Sequence, residues 1–140
     1  MSNIWGRPAW FIFHLITYTY PENPTLQDRE NYQMFFQSFG RVLPCPVCRA
    51  NFERHYRAMP LTQEILDNRN SLVRWGIDMH NMVNQELGKR MLGHQEAEQA
   101  FEKWLRKKAH RRRKWTFLWI IIIMVILIFL TVWLFQKFKS

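Results

Sequence analysis

The chain has 140 residues, of which 48% are hydrophobic and 16% aromatic, and its formal net charge at pH 7 is +9. Once an apolar C-terminal stretch is set aside, this length leaves room for about one ordinary domain. The basic excess does not indicate a nucleic-acid partner, because acidic and basic side chains balance up to Leu105 and the whole excess follows that residue.

The first segment begins at Trp5, and its part from Phe11 to Tyr20 is rich in aromatic and β-branched side chains. Propensity favours a strand for such a segment. Against this, Pro8 suits the start of a helix, and Trp10 and His14 would share one helical face at i and i+4. The prolines in 21–24 end the segment in either case. Residue type alone therefore leaves strand and helix open.

A capping-box pattern of Thr25 and Asp28 predicts that the second element is a helix. Apolar residues then recur at steps of three and four, which is the spacing of one buried helical face. They are Tyr32, Phe35, Phe36, Phe39 and Leu43. A third element, also a helix, is predicted over 46–59, because Pro46 suits a first helical turn and Pro60 ends it.

The two cysteines of the chain, Cys45 and Cys48, lie where this third element begins. Thiols separated by two residues can close a small disulfide ring that suits repeated formation and cleavage, whereas structural disulfides usually join distant segments. With Pro46 at the first helical position, Cys45 lies near the N-cap, where free N–H groups and the helix dipole stabilise a thiolate. Zinc is the alternative, but it needs two more ligands, and no second CxxC or HxxxH spacing supplies them.

A fourth helix is predicted to begin after a cap at Asn70 or Ser71 and to end near Gly88. A fifth is predicted over 94–105, and it can run on through the basic stretch that follows. The apolar stripe of the fourth helix consists of Leu72, Trp75, Met79, Met82 or Val83, and Leu87. Four or five helices of this kind predict a small all-α bundle.

The fourth helix also carries polar residues. His80 and Asn84 share one face at i and i+4, and Asn81 lies beside them. Buried polar groups of this kind need hydrogen-bond partners, and their donors and acceptors suit a ribose, an adenine edge or a phosphate. A satisfied core histidine with two solvated asparagines is the alternative interpretation.

Residues 115–135 are 21 uncharged residues, which matches the roughly 20 that a helix needs to cross a bilayer. Seven Lys and Arg in 106–114 precede this stretch and two lysines follow it, so the positive-inside rule places the N-terminal domain in the cytosol. No signal peptide is visible. We therefore expect a single-pass, tail-anchored protein with a domain at 1–105, a basic juxtamembrane segment at 106–114, a transmembrane helix at 115–135 and a tail at 136–140. Structural disulfides are rare in the cytosol, which favours a catalytic CxxC.

Three pieces of the chain, WGRPAWFIFH, CPVC and WGIDMHNMVNQELGK, occur in this order. They resemble the FAD-linked Erv/ALR sulfhydryl oxidases, whose pattern is Gly-x-x-x-Trp-x-x-x-His, a central CxxC, and Trp-x-x-x-x-His-Asn-x-Val-Asn. The resemblance covers Trp5 to Lys89. It implies an all-α four-helix bundle with FAD at its mouth, a short fifth helix and a non-covalent homodimer, here followed by the C-terminal transmembrane helix. It also makes the first element a helix.

By analogy with the family, FAD lies between two groups of residues. One group is Gly6, Arg7, Trp10 and His14, and the other is His80, Asn81, Val83, Asn84 and Lys89. Phe101 or Trp104 is expected to supply an aromatic contact. The resemblance assigns no metal.

The resemblance further implies that Cys45 and Cys48 are the catalytic pair. A substrate thiolate attacks the disulfide at Cys45, and Cys48 passes the electrons to FAD, from which O₂ takes them to give hydrogen peroxide. The family commonly has a second cysteine pair spaced C-x16-C. Ile77 and His94 occupy those positions here, so we expect packing to hold this part of the bundle.

A distal shuttle pair of cysteines, which many relatives use, is also absent. The resemblance therefore implies direct electron transfer from a dithiol protein or a thioredoxin-like redox carrier. The short domain and cytosolic orientation are similar to those of members encoded by large DNA viruses, which implies a host endomembrane or virion membrane. The alternatives to an oxidase are a non-enzymatic tail-anchored adaptor or zinc-binding module, and a thioredoxin-like reductase partner.

Overall fold

The structure is a computed structural model that describes the backbone of residues 2–139 and the side chains of 4–137, except those at 109, 112, 129, 132 and 135. Within these residues the chain forms α-helices and one 3-10 turn and no strand, which confirms the all-α prediction. The elements are α1 (Ser2–Tyr18), α2 (Leu26–Arg41), α3 (Pro46–Ala58), the 3-10 turn Ile65–Asp67, α4 (Arg69–Glu86) and α5 (His94–Lys139). The chain divides into two compact units, Met1–His94 and Gln95–Ser140.

The first helix begins earlier than Pro8 indicated. Residues from Ser2 onward are helical and Pro8 lies inside α1, so the prediction that this proline marks the start is wrong. Trp5 packs against the core, and this burial stabilises a turn of helix ahead of the proline. Proline inside a helix removes one N–H donor and disfavours a helical conformation for the residue before it, and packing of this first turn offsets that cost.

The second helix begins as predicted. Thr25 Oγ1 accepts from the N–H of Asp28 at 3.1 Å, and Asp28 Oδ2 accepts from the N–H of Thr25 at 2.9 Å. This reciprocal pair is a capping box. Phe36 is fully buried, and Tyr32, Phe35 and Phe39 pack against the core, so the predicted stripe is confirmed.

The start of α4 differs from the prediction. Asn68 is the N-cap, and its Oδ1 accepts from the N–H of Ser71 at 2.9 Å. A cap at Asn70 or Ser71 was therefore wrong, because the 3-10 turn at 65–67 brings the chain into the helix earlier. The end is as predicted, since Gly88 has a positive φ of 63° and its N–H donates to the Gln85 carbonyl, as in a Schellman cap.

The core lies where α1, α2 and α4 meet around Phe13. The ring centroid of Phe13, which is fully buried, lies 4.9 Å from that of Phe36 and 5.7 Å from that of Trp75. The other buried side chains include Tyr20, Leu66, Leu72 and Met79. Leu87, which the stripe of α4 included, is 59% exposed because the helix ends before it.

Two close helix contacts set the geometry of the bundle. A Cβ on Gly76 of α4 would lie 3.0 Å from Thr17 Cγ2 of α1. A Cβ on Gly40 of α2 would lie 2.0 Å from Cδ1 of Phe52 on α3. Both glycines therefore allow an approach that any larger residue would oppose.

The fifth helix, α5, is continuous from His94 to Lys139. The sequence allowed this continuation, but the separate short fifth helix that the resemblance implied is wrong. The large apolar side chains that are described between 115 and 135 are 44% to 63% exposed. Among the described residues, we find no helix with the length and apolarity needed to cross a bilayer. The predicted transmembrane helix over 115–135 is thus not supported by the structure.

Candidate functional site

The CxxC segment forms a disulfide at the beginning of α3. Cys45 and Cys48 are bonded, with their Cα atoms 5.1 Å apart. Cys45 is the N-cap residue in an extended conformation, and its Sγ accepts from the N–H of Cys48 at 3.3 Å. The predicted N-cap position is confirmed. Once the bond is reduced, this N–H and the positive end of the helix dipole favour a thiolate on Cys45.

The surroundings of the disulfide differ between its two sides. Cys48 packs against the hydrophobic core, whereas Val47 is 68% exposed. Arg49 donates from Nη1 to the Leu43 carbonyl at 2.5 Å. That contact holds the loop that leads into Cys45. Cys45 and Cys48 are both half-buried, so the disulfide is partly accessible to solvent.

A second cluster lies between α1 and α4. The rings of Trp10 and His80 are stacked, with centroids 4.0 Å apart and planes 7° apart. Nε2 of His14 lies 2.9 Å from Nδ1 of His80. The structure thus brings together three of the residues assigned to the cofactor, two from α1 and one from α4.

Burial makes these two imidazoles poor bases. Burial, and secondarily the nearby His80, lower the pKa of His14 from 6.5 to about 4. Burial, and secondarily the positive charge of Lys89, lower the pKa of His80 to about 4. Both rings are therefore neutral at pH 7, and one donates its N–H to the ring nitrogen of the other. The influence of Lys89 also places its charge near the cluster.

The other residues assigned by analogy belong to α1, to α4 and, for Lys89, to the connector that follows α4. Val83 and Asn84 are half-buried near the end of α4, and Arg7 and Lys89 are exposed. A Cβ on Gly6 would meet no atom within 4 Å, so the space beside this turn of α1 is open.

Asn81 binds the backbone of the connector that follows α4. Its Nδ2 donates to the Leu92 carbonyl at 2.8 Å, and its Oδ1 accepts from the Leu92 N–H at 3.0 Å. Nε2 of His94 lies 2.7 Å from Oδ1 of Asp78. We expected packing to hold this part of the bundle in place of the C-x16-C disulfide, and these polar contacts anchor the connector as well. No local pattern in the sequence indicates them.

The cysteine pair and the imidazole cluster border the same aromatic core. Phe52 follows Cys48 by one helical turn, and its ring centroid lies 6.2 Å from that of Phe13. The Phe13 ring in turn lies 5.2 Å from that of Trp10. A redox-active disulfide and a binding cluster are thus linked through the packed rings of Phe52, Phe13 and Trp10.

The chemistry of the cluster fits a flavin nucleotide. Trp10 and His80 offer flat surfaces to a flat ring system, and the neutral imidazoles offer both a donor and an acceptor. The exposed cations Arg7 and Lys89 suit a diphosphate. Phe101 and Trp104 stack on one another within α5, with centroids 6.5 Å apart.

Residues 7–105 match the model of the Erv1 / Alr family. The chain is 44% identical over 114 residues to the "Probable FAD-linked sulfhydryl oxidase R368" of Acanthamoeba polyphaga mimivirus, covering 81% of this chain and 80% of that protein. It is 32% identical over 84 residues to the "Mitochondrial FAD-linked sulfhydryl oxidase ERV1" of Saccharomyces cerevisiae, covering 60% of this chain and 43% of that protein. The chain thus spans most of the viral relative but less than half of the yeast protein.

Solved structures of the yeast protein resemble the fold. The crystal structure of the yeast Erv1 core has a TM-score of 0.66 at 28% identity, covering 72% of this chain and 83% of that chain. The crystal structure of the FAD binding domain of Erv1 from Saccharomyces cerevisiae has a TM-score of 0.64 at 28% identity, covering 70% of this chain and 90% of that chain.

Proposed function

The chain belongs to the Erv1 / Alr family, and from this we infer that it is an FAD-linked sulfhydryl oxidase. It oxidises dithiols to disulfides and reduces O₂ to hydrogen peroxide. The observation that carries this function is the Cys45–Cys48 disulfide at the N-terminus of α3, in a chain that is 44% identical to a viral FAD-linked sulfhydryl oxidase.

We propose that Cys45 receives the substrate. A substrate thiolate attacks its Sγ, the bond to Cys48 breaks, and Cys48 leaves as a thiolate. The second substrate thiol then attacks the mixed disulfide, so that the substrate leaves oxidised and both cysteines are reduced. The N–H contact to Cys45 Sγ and the packing of Cys48 against the core support this assignment. We propose Cys48, on the core side, as the cysteine nearer to the cofactor.

We further propose that α1 and α4 hold FAD, which when bound supplies a two-electron acceptor that O₂ can reoxidise. The stacked pair of Trp10 and His80 is proposed to offer one flat face to a flat ring, with His14 fixing the tautomer and orientation of His80. Arg7 and Lys89 are proposed to neutralise phosphate charge. Gly6, Asn81, Val83 and Asn84 complete the proposed set.

Oxygen consumption with a dithiol tests the function. Wild-type chain supplied with FAD and dithiothreitol should consume O₂ and produce hydrogen peroxide. Cys48→Ser should abolish this consumption, because no disulfide can form. Ala50→Ser, an exposed substitution on the same helix, should leave the rate unchanged. Equal rates for wild type and Cys48→Ser would contradict the proposal.

We also propose that the chain is tail-anchored through 115–135 with its oxidase domain in the cytosol, at a host endomembrane or a virion membrane. The uncharged stretch and the basic segment before it support this proposal. Extraction of cell membranes with alkaline carbonate tests it, since an anchored chain stays in the pellet. Recovery of the chain in the supernatant would contradict membrane anchorage.

The family resemblance supports a further proposal, a non-covalent homodimer. Light scattering of the full chain in a neutral detergent tests it, after subtraction of the detergent mass. A mass of one chain at micromolar concentration would contradict the dimer.

A further inference from the structure

Three side chains of α3 converge on one carboxylate of α4, that of Glu86. Nδ2 of Asn51 donates to its Oε2 at 3.2 Å, and the guanidinium of Arg54 donates to its Oε1. Nε2 of His55 lies 3.1 Å from Oε2, within ion-pair distance but off the line of a hydrogen bond. We name these four residues the Glu86 clamp.

The Glu86 carboxylate and the His55 side chain would each be unfavourable without the other. A carboxylate in the last turn of a helix meets the negative end of the helix dipole, and His55 is only 4% exposed, where an unpaired polar group is costly. Desolvation raises the pKa of Glu86, but the contacts from His55 and Arg54 outweigh it and hold this pKa below its ordinary value. The carboxylate is therefore charged at neutral pH and matched to its partners.

The clamp joins the two helices that carry the proposed chemistry. His55 follows Cys48 by seven residues, or about two helical turns, so both lie on one face of α3. Phe52 lies between them on that face and packs into the core with Cys48. On α4, Glu86 follows Asn84 by two residues in the last turn. The clamp therefore connects the disulfide helix to the end of the proposed cofactor helix.

We propose that Glu86 is a positioning residue of the oxidase, which holds α3 against α4 so that Cys48 keeps its place relative to bound FAD. This inference rests on the proposed function. Glu86 acts through α3 and does not take part in thiol exchange. The effect on rate is expected to be large, because a displacement of about 1 Å can slow an enzymatic step roughly 100-fold.

The test compares Glu86→Ala and Glu86→Gln with a matched control, Glu53→Ala. The control removes an exposed ion pair with Arg57 on the same helix. Anaerobic stopped-flow mixing of the FAD-loaded full chain with saturating dithiothreitol measures flavin reduction, and mixing of the reduced chain with O₂ measures reoxidation. Glu86→Ala should slow flavin reduction about tenfold or more, with Glu86→Gln intermediate and Glu53→Ala like wild type. Reoxidation should be unchanged in all three variants.

Amide hydrogen exchange of the flavin-free full chain gives a second readout. Exchange in α3 should be faster in Glu86→Ala than in wild type, and unchanged in Glu53→Ala. Equal rates of flavin reduction in wild type and Glu86→Ala, or equal slowing of reduction and reoxidation, would overturn the inference. Absence of flavin binding by the wild-type chain would contradict the proposed function. Unchanged amide exchange in α3 of Glu86→Ala would separately contradict the positioning role of Glu86.

Discussion

Acid should weaken the fold through His14 and His80. Both imidazoles have a pKa near 4 in the folded chain, against an ordinary value of 6.5 when exposed. At pH values between about 4 and 6.5, the unfolded chain therefore binds more protons than the folded chain. The free energy of unfolding should fall as the pH is lowered through this window, and above it the two groups should contribute no further change.

The size of the effect follows from the two pKa values. At pH 5 the unfolded form of each histidine is almost fully protonated and the folded form is mostly neutral. Lowering the pH from 7 to 5 should therefore cost about 2 kcal/mol for each histidine, or about 4 kcal/mol for the pair. Unfolding free energies of single domains are typically about 5–15 kcal/mol, so this is a substantial loss. Ordinary carboxyl groups, with pKa values near 4, remain mostly ionised at pH 5.

Urea unfolding of the flavin-free full chain in a neutral detergent, followed by tryptophan fluorescence at pH 7 and pH 5, measures the loss. A double variant with His14→Gln and His80→Gln should lose most of the difference between the two pH values. His110→Gln, at an exposed position on α5, should retain it. A wild-type loss below about 1 kcal/mol would refute the reasoning, as would an undiminished loss in the double variant.

Further predictions concern helix contacts and caps. Gly40→Ala should reduce the free energy of unfolding by about 1–3 kcal/mol, because the new Cβ overlaps the ring of Phe52. Gly6→Ala, in open space on α1, should instead raise the free energy of unfolding by up to about 1 kcal/mol. Similar effects of the two changes in urea unfolding would argue against the close contact. Asn68→Ala should cost about 1 kcal/mol in the same assay, because the N–H of Ser71 loses its cap, and an unchanged unfolding midpoint would contradict the cap.

Local patterns predicted much of the fold. The capping box at Thr25, the aromatic stripe of α2 and the position of Cys45 at the N-cap of α3 depend on residues within a few positions of one another. Whether the first element is a strand or a helix depends instead on contacts with distant residues. Phe13 is fully buried among the rings of other helices, and this tertiary packing, which only the family resemblance indicated, overrides the strand propensity of its neighbours.

Contacts between distant residues were the least predictable part. The cap at Asn68 depends on a 3-10 turn that has no periodic signal. The pairing of His94 with Asp78, and of Glu86 with α3, joins polar residues across 16 to 35 positions. From a single sequence, polar residues at such positions are interpreted as solvent-exposed, because no neighbouring residue indicates which distant partner they contact.

The visible spectrum of the purified full chain, recorded after incubation with FAD and desalting, tests electron transfer from the disulfide to bound FAD most directly. Flavin absorbance should stay with the protein. Anaerobic dithiothreitol should bleach this absorbance rapidly in wild type but not in Cys48→Ser. A colourless protein, or equally fast bleaching in both, would contradict electron transfer from this disulfide to bound FAD.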